Sequence, residues 1–125
     1  NKSERNTMNS FSGSCHCGKV NFQIKTEEIY NELYRCNCSL CIKKSIIMKF
    51  VDKHDFSLLE GEEFMSSYKW NKNIAEHFFC KICGVYTHHK RRSDPNQISV
   101  NIACLDNISL PEENMIGTVD GASHD

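Results

Sequence analysis

Seven of the eight cysteines in this 125-residue chain stand in closely spaced groups, an arrangement typical of metal ligands. The groups are Cys15-x-Cys17, Cys36-x-Cys38-x-x-Cys41 and Cys80-x-x-Cys83. A disulfide between near neighbours is strained, and clustered cysteines in a chain expected to be cytosolic do not suggest a disulfide framework. We therefore interpret the groups as thiolates that bind metal ions.

Two of the groups are followed directly by glycine, in the sequences CHCG and CKICG. Glycine at that position lets the backbone enter the left-handed region and turn tightly beneath a metal ion. Each group supplies two thiolates, so neither completes a tetrahedral site alone. Together they give the ligand set of a closed structural zinc site, formed by Cys15, Cys17, Cys80 and Cys83.

The third group, CNCSLC, places three thiolates within six residues. Three protein ligands with an open fourth position are typical of a catalytic zinc, so Cys36, Cys38 and Cys41 predict a second zinc that is catalytic and labile. The spacing differs from that of ferredoxin iron–sulfur ligands. The eighth cysteine, Cys104, stands in the apolar stretch NIACLD and is predicted to be a buried core residue.

The composition indicates one ordinary globular domain, with 39% hydrophobic and 25% charged residues. No apolar run approaches the roughly 18 residues that a membrane-spanning helix needs. The net charge of −1 predicts neither a nucleic acid nor a membrane as partner. We expect a cytoplasmic protein. Residues 1–10 are expected to be an N-terminal segment, partly vector-derived with Met8 as the natural start, and residues 11–125 a single zinc domain.

Alternating apolar and polar residues predict an all-β fold of short, mainly antiparallel strands. The clearest example is KVNFQIK, in which Val20, Phe22 and Ile24 share one face. No sustained helical periodicity is present, and only a helical turn at 109–113 is expected. A turn is predicted at 71–73. The predicted strands cover residues 19–25, 46–51, 63–70, 75–80, 84–90 and 97–105.

Four stretches, GSCHCGKVNF, CNCSLCIKK, FFCKICGVYT and VNIACLD, together resemble the glutathione-dependent formaldehyde-activating family, to which centromere protein V is related. The resemblance covers about residues 12–106. It implies a β-tent fold, a structural zinc on the four-cysteine set and a catalytic zinc on the three-cysteine set. It also implies a carbon–sulfur lyase that joins glutathione, a small thiol, to formaldehyde, a small aldehyde, as S-(hydroxymethyl)glutathione.

The resemblance also suggests where the substrate binds. Glutathione carries carboxylates, and Lys43 and Lys44 follow the three-cysteine group directly, so they are the candidate contacts. Many family members have a small SGA-like segment next, whereas this chain keeps Ser45 and continues with Ile46 and Ile47. We expect these larger side chains to narrow the pocket.

The histidines are weaker candidates. His16 lies between two predicted ligands and is expected to point outward. Strand alternation places His88 and His89 on opposite faces, so at most one of them faces a given site. We expect surface or half-buried positions for these two and for His77, with an acid–base role near the open zinc as the alternative.

A second hypothesis of a different class remains open from the sequence. The chain would then be a non-catalytic, zinc-stabilised module for binding or thiol sensing. The fourth position of the three-cysteine site separates the two hypotheses, because a protein ligand there would make the site structural. The sequence leaves the oligomeric state open.

Overall fold

The structure is a computed structural model that describes residues 8–69, 75–91 and 94–124. Within these residues, ten strands and one short α-helix are connected by loops and 3-10 turns. The elements are β1 Asn9–Ser14, β2 Asn21–Thr26, β3 Leu33–Cys36, α1 Ser39–Lys44, β4 Met48–Asp52, β5 Phe56–Glu60, β6 Met65–Tyr68, β7 Glu76–Cys80, β8 Tyr86–Lys90, β9 Gln97–Asn101 and β10 Gly117–Val119. No helix in this part of the chain has the length and hydropathy that a membrane crossing needs.

The strands form two sheets, and the prediction of an all-β fold is confirmed. The small sheet has the order β1-β2-β5, and the large sheet has the order β10-β3-β4-β9-β8-β7-β6. All pairings are antiparallel except that of β10 with β3. The parallel pairing brings the C-terminal segment beside the end of β3, where the three-cysteine group begins.

The main core lies where the two sheets face each other. Phe22 and Ile24 of β2 are fully buried there, as the alternation predicts, and they belong to one cluster with Val51, Ile98 and Val100 of the large sheet. Cys104 is buried in the same cluster, so its predicted position is confirmed. This face of the large sheet is therefore occupied by the fold itself.

The opposite side of the large sheet carries polar and aromatic residues. Phe50, Ser99, His89 and His77 are cross-strand neighbours in successive pairs, and such partners project to the same side. A register shift between Phe78 and Phe79 marks a β-bulge. Bulges re-aim side chains, and the Tyr86 hydroxyl contacts both His77 and His89. We call Phe50, His77, Tyr86, His89 and Ser99 the polar face.

The expectation of surface or half-buried histidines is wrong for three of them. His77, His88 and His89 are only 4%, 4% and 7% exposed. His88 is stabilised on the core side by the rings of Phe56 and Phe78, at centroid distances of 4.5 and 4.7 Å. His77 and His89 lie on the polar face, where Tyr86 satisfies one nitrogen of each.

The other differences concern short elements. The sequence did not predict α1, β1, β3, β5 or β10. The predicted strand 97–105 ends at Asn101, because the side chain of Asn101 accepts a hydrogen bond from the Ala103 N–H and caps a 3-10 turn. The helical turn expected at 109–113 is a 3-10 turn at Glu113–Met115. Trp70, at the end of a predicted strand, and the predicted turn at 71–73 lie outside the described residues.

The burial of His88 makes the stability of the fold depend on pH. Burial is the main cause that lowers the pKa of His88 to about 4, and the charge of Lys90 is a smaller one. An unfolded histidine has a pKa of about 6.5, so between these two values the unfolded chain binds a proton that the folded protein excludes. Stability therefore falls as the pH is lowered through this window. We expect wild-type protein to lose about 1–2 kcal/mol more than a His88→Phe variant between about pH 7 and pH 5.

Urea unfolding followed by circular dichroism measures this difference across the pH range. Loss of metal in acid affects both proteins and cancels in the comparison. Parallel pH profiles for the two proteins would show that His88 is not held neutral by the fold.

Candidate metal centres

The four-cysteine set comes together from two distant loops. Cys15 and Cys17 lie between β1 and β2, whereas Cys80 is the last residue of β7 and Cys83 lies in the turn that leads to β8. The Sγ atoms of Cys15 and Cys17 are 3.6 Å apart, those of Cys17 and Cys80 are 3.7 Å apart, and all four lie within 4.8 Å of one another. Zinc–sulfur bonds of about 2.3 Å in a tetrahedron place sulfurs about 3.8 Å apart. The four residues therefore fit a zinc ion.

The two loops that carry these cysteines have the same backbone design. In the first loop the Cys15 N–H donates to the Val20 carbonyl, and in the second the Cys80 N–H donates to the Val85 carbonyl, at 3.1 and 3.0 Å. Gly18 and Gly84 have φ of 82° and 78°, which is the left-handed conformation expected from the CHCG and CKICG sequences.

Backbone N–H groups of these two loops also stabilise the thiolate form of Cys83. The N–H groups of Cys17 and Val85 hydrogen-bond to the Cys83 sulfur and lower the pKa of this thiol to about 6. Thiolates are the metal-binding form of cysteine, so these bonds favour ligation at neutral pH.

The three-cysteine set is built on the start of one short helix. Cys36 ends β3, Cys38 is the N-cap of α1 and Cys41 lies in the first turn of α1. The Cys38 sulfur accepts a hydrogen bond from the Cys41 N–H at 3.3 Å, so one ligand also caps the helix. The three sulfurs lie within 4.8 Å of one another. The sequence reasoning found the ligands but not the helix, because six residues are too few to show helical periodicity.

Hydrogen bonding between the thiols of Cys36 and Cys41 shifts their pKa values in opposite directions. The hydrogen bond from Cys41 is the main cause that lowers the pKa of Cys36 to about 5, and the Cys38 and Gly121 N–H groups act in the same direction. The same bond raises the pKa of Cys41 far above its ordinary value. Cys36 is therefore a stronger acid than Cys41 in the metal-free cluster.

The C-terminal segment covers this cluster, which the sequence reasoning missed. Asn37 donates from its side chain to Asp120 at 3.1 Å and accepts from the Ala122 N–H at 2.8 Å. Gly121 packs so closely on the cluster that an added Cβ would overlap the Cys36 sulfur. The dipeptide Asp120–Gly121 is a turn signal, but nothing in the sequence placed that turn against residues more than 80 positions away.

Among the side chains that the structure describes, which do not include that of His124, no other Cys, His, Asp or Glu lies within 4.8 Å of all three sulfurs. Three thiolates fit a zinc ion of open coordination, in contrast to the four-cysteine set. His16 is exposed, as expected, and belongs to neither set.

The two lysines after the cluster have different environments. Lys43 is exposed, whereas Lys44 is half-buried with its Nζ 4.2 Å from the centre of the Tyr86 ring. Burial is the main cause that raises the pKa of Tyr86, and the charges of ionised cluster cysteines act in the same direction. The contact of Lys44 with Tyr86 places the polar face beside α1, the helix that carries Cys41. Ile47 packs against the main core instead, so the expected narrowing of the pocket applies at most to half-buried Ile46.

The contact of Gly121 with Cys36 can be tested by adding a single methyl group. Gly121→Ala should displace the C-terminal segment or the Cys36 sulfur, because the new Cβ overlaps that sulfur. We expect the variant to bind metal at the three-cysteine site at least tenfold more weakly, which corresponds to about 1.4 kcal/mol.

The four-cysteine site is the internal control, since it contains neither residue. Metal analysis after dialysis against competing chelators should show one retained zinc and one weakened zinc in the variant. Unchanged affinity at both sites would contradict the close packing of Gly121.

Comparison with known proteins agrees with this geometry. Residues 10–118 match the sequence profile of a family described as glutathione-dependent formaldehyde-activating enzyme. The fold is similar to the crystal structure of a Rhodobacter sphaeroides protein from Northeast Structural Genomics, with a TM-score of 0.80 and 31% sequence identity over 86% of this chain and 99% of that one. Since the profile spans most of the chain and both cysteine sets, the chain belongs to the glutathione-dependent formaldehyde-activating family.

Proposed function

We propose that the protein is a zinc-dependent carbon–sulfur lyase that joins glutathione to formaldehyde at the three-cysteine site. The observation that carries this proposal is the contrast between the two cysteine sets: four sulfurs complete one site, whereas three sulfurs on one loop and helix leave the other open among the described residues. A closed set serves stability and an open set serves chemistry. The family match supplies the two substrates.

The reaction is the addition of a thiol to an aldehyde. Zinc bound by Cys36, Cys38 and Cys41 would supply Lewis acidity that lowers the pKa of a neighbouring thiol and polarises a carbonyl oxygen. The protein itself must hold the thiol substrate, exclude water and move one proton.

Lys44 is the group that we assign to substrate binding. Its ammonium lies over the Tyr86 ring on the side of α1 that carries Cys41, three residues earlier. Burial is the main cause that lowers the pKa of Lys44, and an ionised Cys41 would oppose this shift, so the ammonium lies partly dehydrated beside the cluster. A partly dehydrated ammonium attracts a carboxylate more strongly than one in bulk water. Lys43, which is exposed, has no comparable position.

The C-terminal segment completes the site and argues for one domain. Asp120, Gly121 and Ala122 contact Cys36, Asn37 and Cys38, so residues more than 80 positions apart in sequence contribute to one site. We accordingly propose residues 11–125 as one zinc domain. A cytoplasmic location would suit it, since free thiols persist there.

Glutathione binding tests the proposal. The protein used must contain both zinc ions by metal analysis. Calorimetry should detect glutathione binding at or below millimolar concentration, because a thiol can occupy the open position of the three-cysteine site. Nuclear magnetic resonance should show faster formation of S-(hydroxymethyl)glutathione with protein than without it.

Two adjacent lysines provide a matched comparison. Lys44→Ala should raise the glutathione KM about tenfold, since it removes one charged contact of about 1.4 kcal/mol. Lys43→Ala should stay within about twofold of wild type. Cysteamine, a thiol without carboxylates, should not distinguish the variants. Equal effects of the two substitutions would contradict the role of Lys44.

The outcome also separates this function from the thiol-sensing module. Binding of glutathione without turnover would favour the module, in which the open site only captures thiols. No binding at millimolar glutathione to protein with both zinc ions would contradict the proposed enzyme.

A further inference from the structure

A buried hydroxyl joins two histidines on the polar face. The Tyr86 hydroxyl lies 3.1 Å from Nδ1 of His77 and also contacts Nδ1 of His89. All three side chains are buried, and the two imidazole rings stack with centroids 4.8 Å apart. The proposed function so far uses none of these groups except the Tyr86 ring.

This arrangement restricts where the protons of the two imidazoles lie. The hydroxyl has one proton, so it donates to one Nδ1 and accepts from an N–H at the other. A neutral imidazole has a single N–H. The histidine that donates from Nδ1 therefore has a bare Nε2, and the histidine that accepts at Nδ1 carries its proton on Nε2. The two histidines thus have opposite tautomers, one a base and one an acid at Nε2.

The environment keeps the three groups neutral at physiological pH. Burial, followed by the charge of Lys44, lowers the pKa of His77 to about 4. Burial also lowers the pKa of His89 well below its ordinary value, and its neighbours His77, Arg91, His88 and Lys44 act in the same direction. Burial and the cluster thiolates raise the pKa of Tyr86. No member of the group therefore gains or loses a proton on its own near neutral pH.

The group lies beside the three-cysteine site and next to an unsatisfied polar atom. Lys44 of α1 links the site to Tyr86 through its contact with the ring. Ser99, the cross-strand neighbour of His89, is fully buried, and its hydroxyl has no hydrogen-bond partner among the described residues. Buried hydroxyls normally have partners, so this one points to a ligand or water on the polar face.

We propose, on the basis of the function above, that His77 and His89 are the acid–base pair of the thiol–aldehyde reaction and that Tyr86 couples them. The bare Nε2 takes the thiol proton as the S–H bond breaks. The sulfur electron pair forms the C–S bond, the carbonyl π electrons move to oxygen, and oxygen takes the proton from the other Nε2.

Within the group, the imidazole that gains the thiol proton passes its Nδ1 proton to the Tyr86 oxygen. The original hydroxyl proton of Tyr86 passes to Nδ1 of the other imidazole. The proton that one imidazole gains equals the proton that the other loses, so no charge accumulates in the buried group. The histidines end with exchanged tautomers. That exchanged state is the one that the reverse, carbon–sulfur cleaving reaction requires.

The tautomers can be observed without any assay of activity. Long-range proton–nitrogen correlation spectra of the zinc-loaded, nitrogen-15-labelled full chain report which nitrogen of each histidine carries hydrogen. We expect opposite tautomers for His77 and His89, or intermediate shifts for both if the two arrangements exchange rapidly. A single shared tautomer, or a positively charged imidazole at neutral pH, would overturn the proposal.

The kinetic test removes one oxygen atom. Tyr86→Phe keeps the ring beneath Lys44 but breaks the coupling, so kcat should fall about 100-fold, as expected for lost acid–base catalysis. The glutathione KM and both zinc ions should be retained. His88→Phe is the matched control, because His88 is equally buried but lies on the core side, and its kcat should stay within about twofold of wild type.

The outcomes distinguish this inference from the proposed function. An active wild type with an equally active, zinc-loaded Tyr86→Phe variant would overturn the acid–base role and leave the function intact. A wild type that does not form S-(hydroxymethyl)glutathione would overturn the function, and the acid–base role with it. An equal loss of kcat in His88→Phe would show that the effect is structural.

Discussion

The four-cysteine cluster is the constraint on which the rest of the structure depends. Cys17 and Cys80, 63 residues apart in sequence, bring their sulfurs to 3.7 Å and so join a loop of the small sheet to a loop of the large sheet. The fully buried apolar cluster around them is small, so a bound metal would supply much of the free energy that holds this end of the sheets together. The cluster also positions the polar face, since His77 lies three residues before Cys80 and Tyr86 three residues after Cys83.

The second cysteine set has a different physical role. Its three sulfurs come from one strand end and one helical turn, so they restrict the unfolded chain little. The C-terminal segment shields these sulfurs from solvent on one side, through its hydrogen bonds to Asn37 and the close approach of Gly121. Under the proposed function, stability and chemistry would thereby be divided between the two cysteine sets. The helix of the three-cysteine set also carries the half-buried cation of Lys44, which contacts the Tyr86 ring, and the Tyr86 hydroxyl in turn contacts both His77 and His89.

The sequence was sufficient where the signal is local. The cysteine spacing separated the two ligand sets, and the alternation of Phe22 and Ile24 predicted β2 and its buried face. The sequence did not predict elements or buried positions that depend on contacts between residues distant in sequence. β1 has the polar sequence NSFSGS and exists because it pairs with β2, and β10 has only three residues beside β3. The burial of His77 and His89 depends on a β-bulge that brings the Tyr86 hydroxyl to both rings, and no residue pattern indicates that bulge.

The central claim is that one metal centre holds the fold and the other is open. Native mass spectrometry during titration with a weak chelator tests it most directly, with circular dichroism recorded on the same samples. The account predicts two zinc ions per chain, removal of one at low chelator concentration without loss of β structure, and loss of the fold only with the second. A Cys36→Ser variant should contain only the resistant zinc. Removal of both ions in one step together with unfolding, or disulfides and no metal under reducing conditions, would contradict the account.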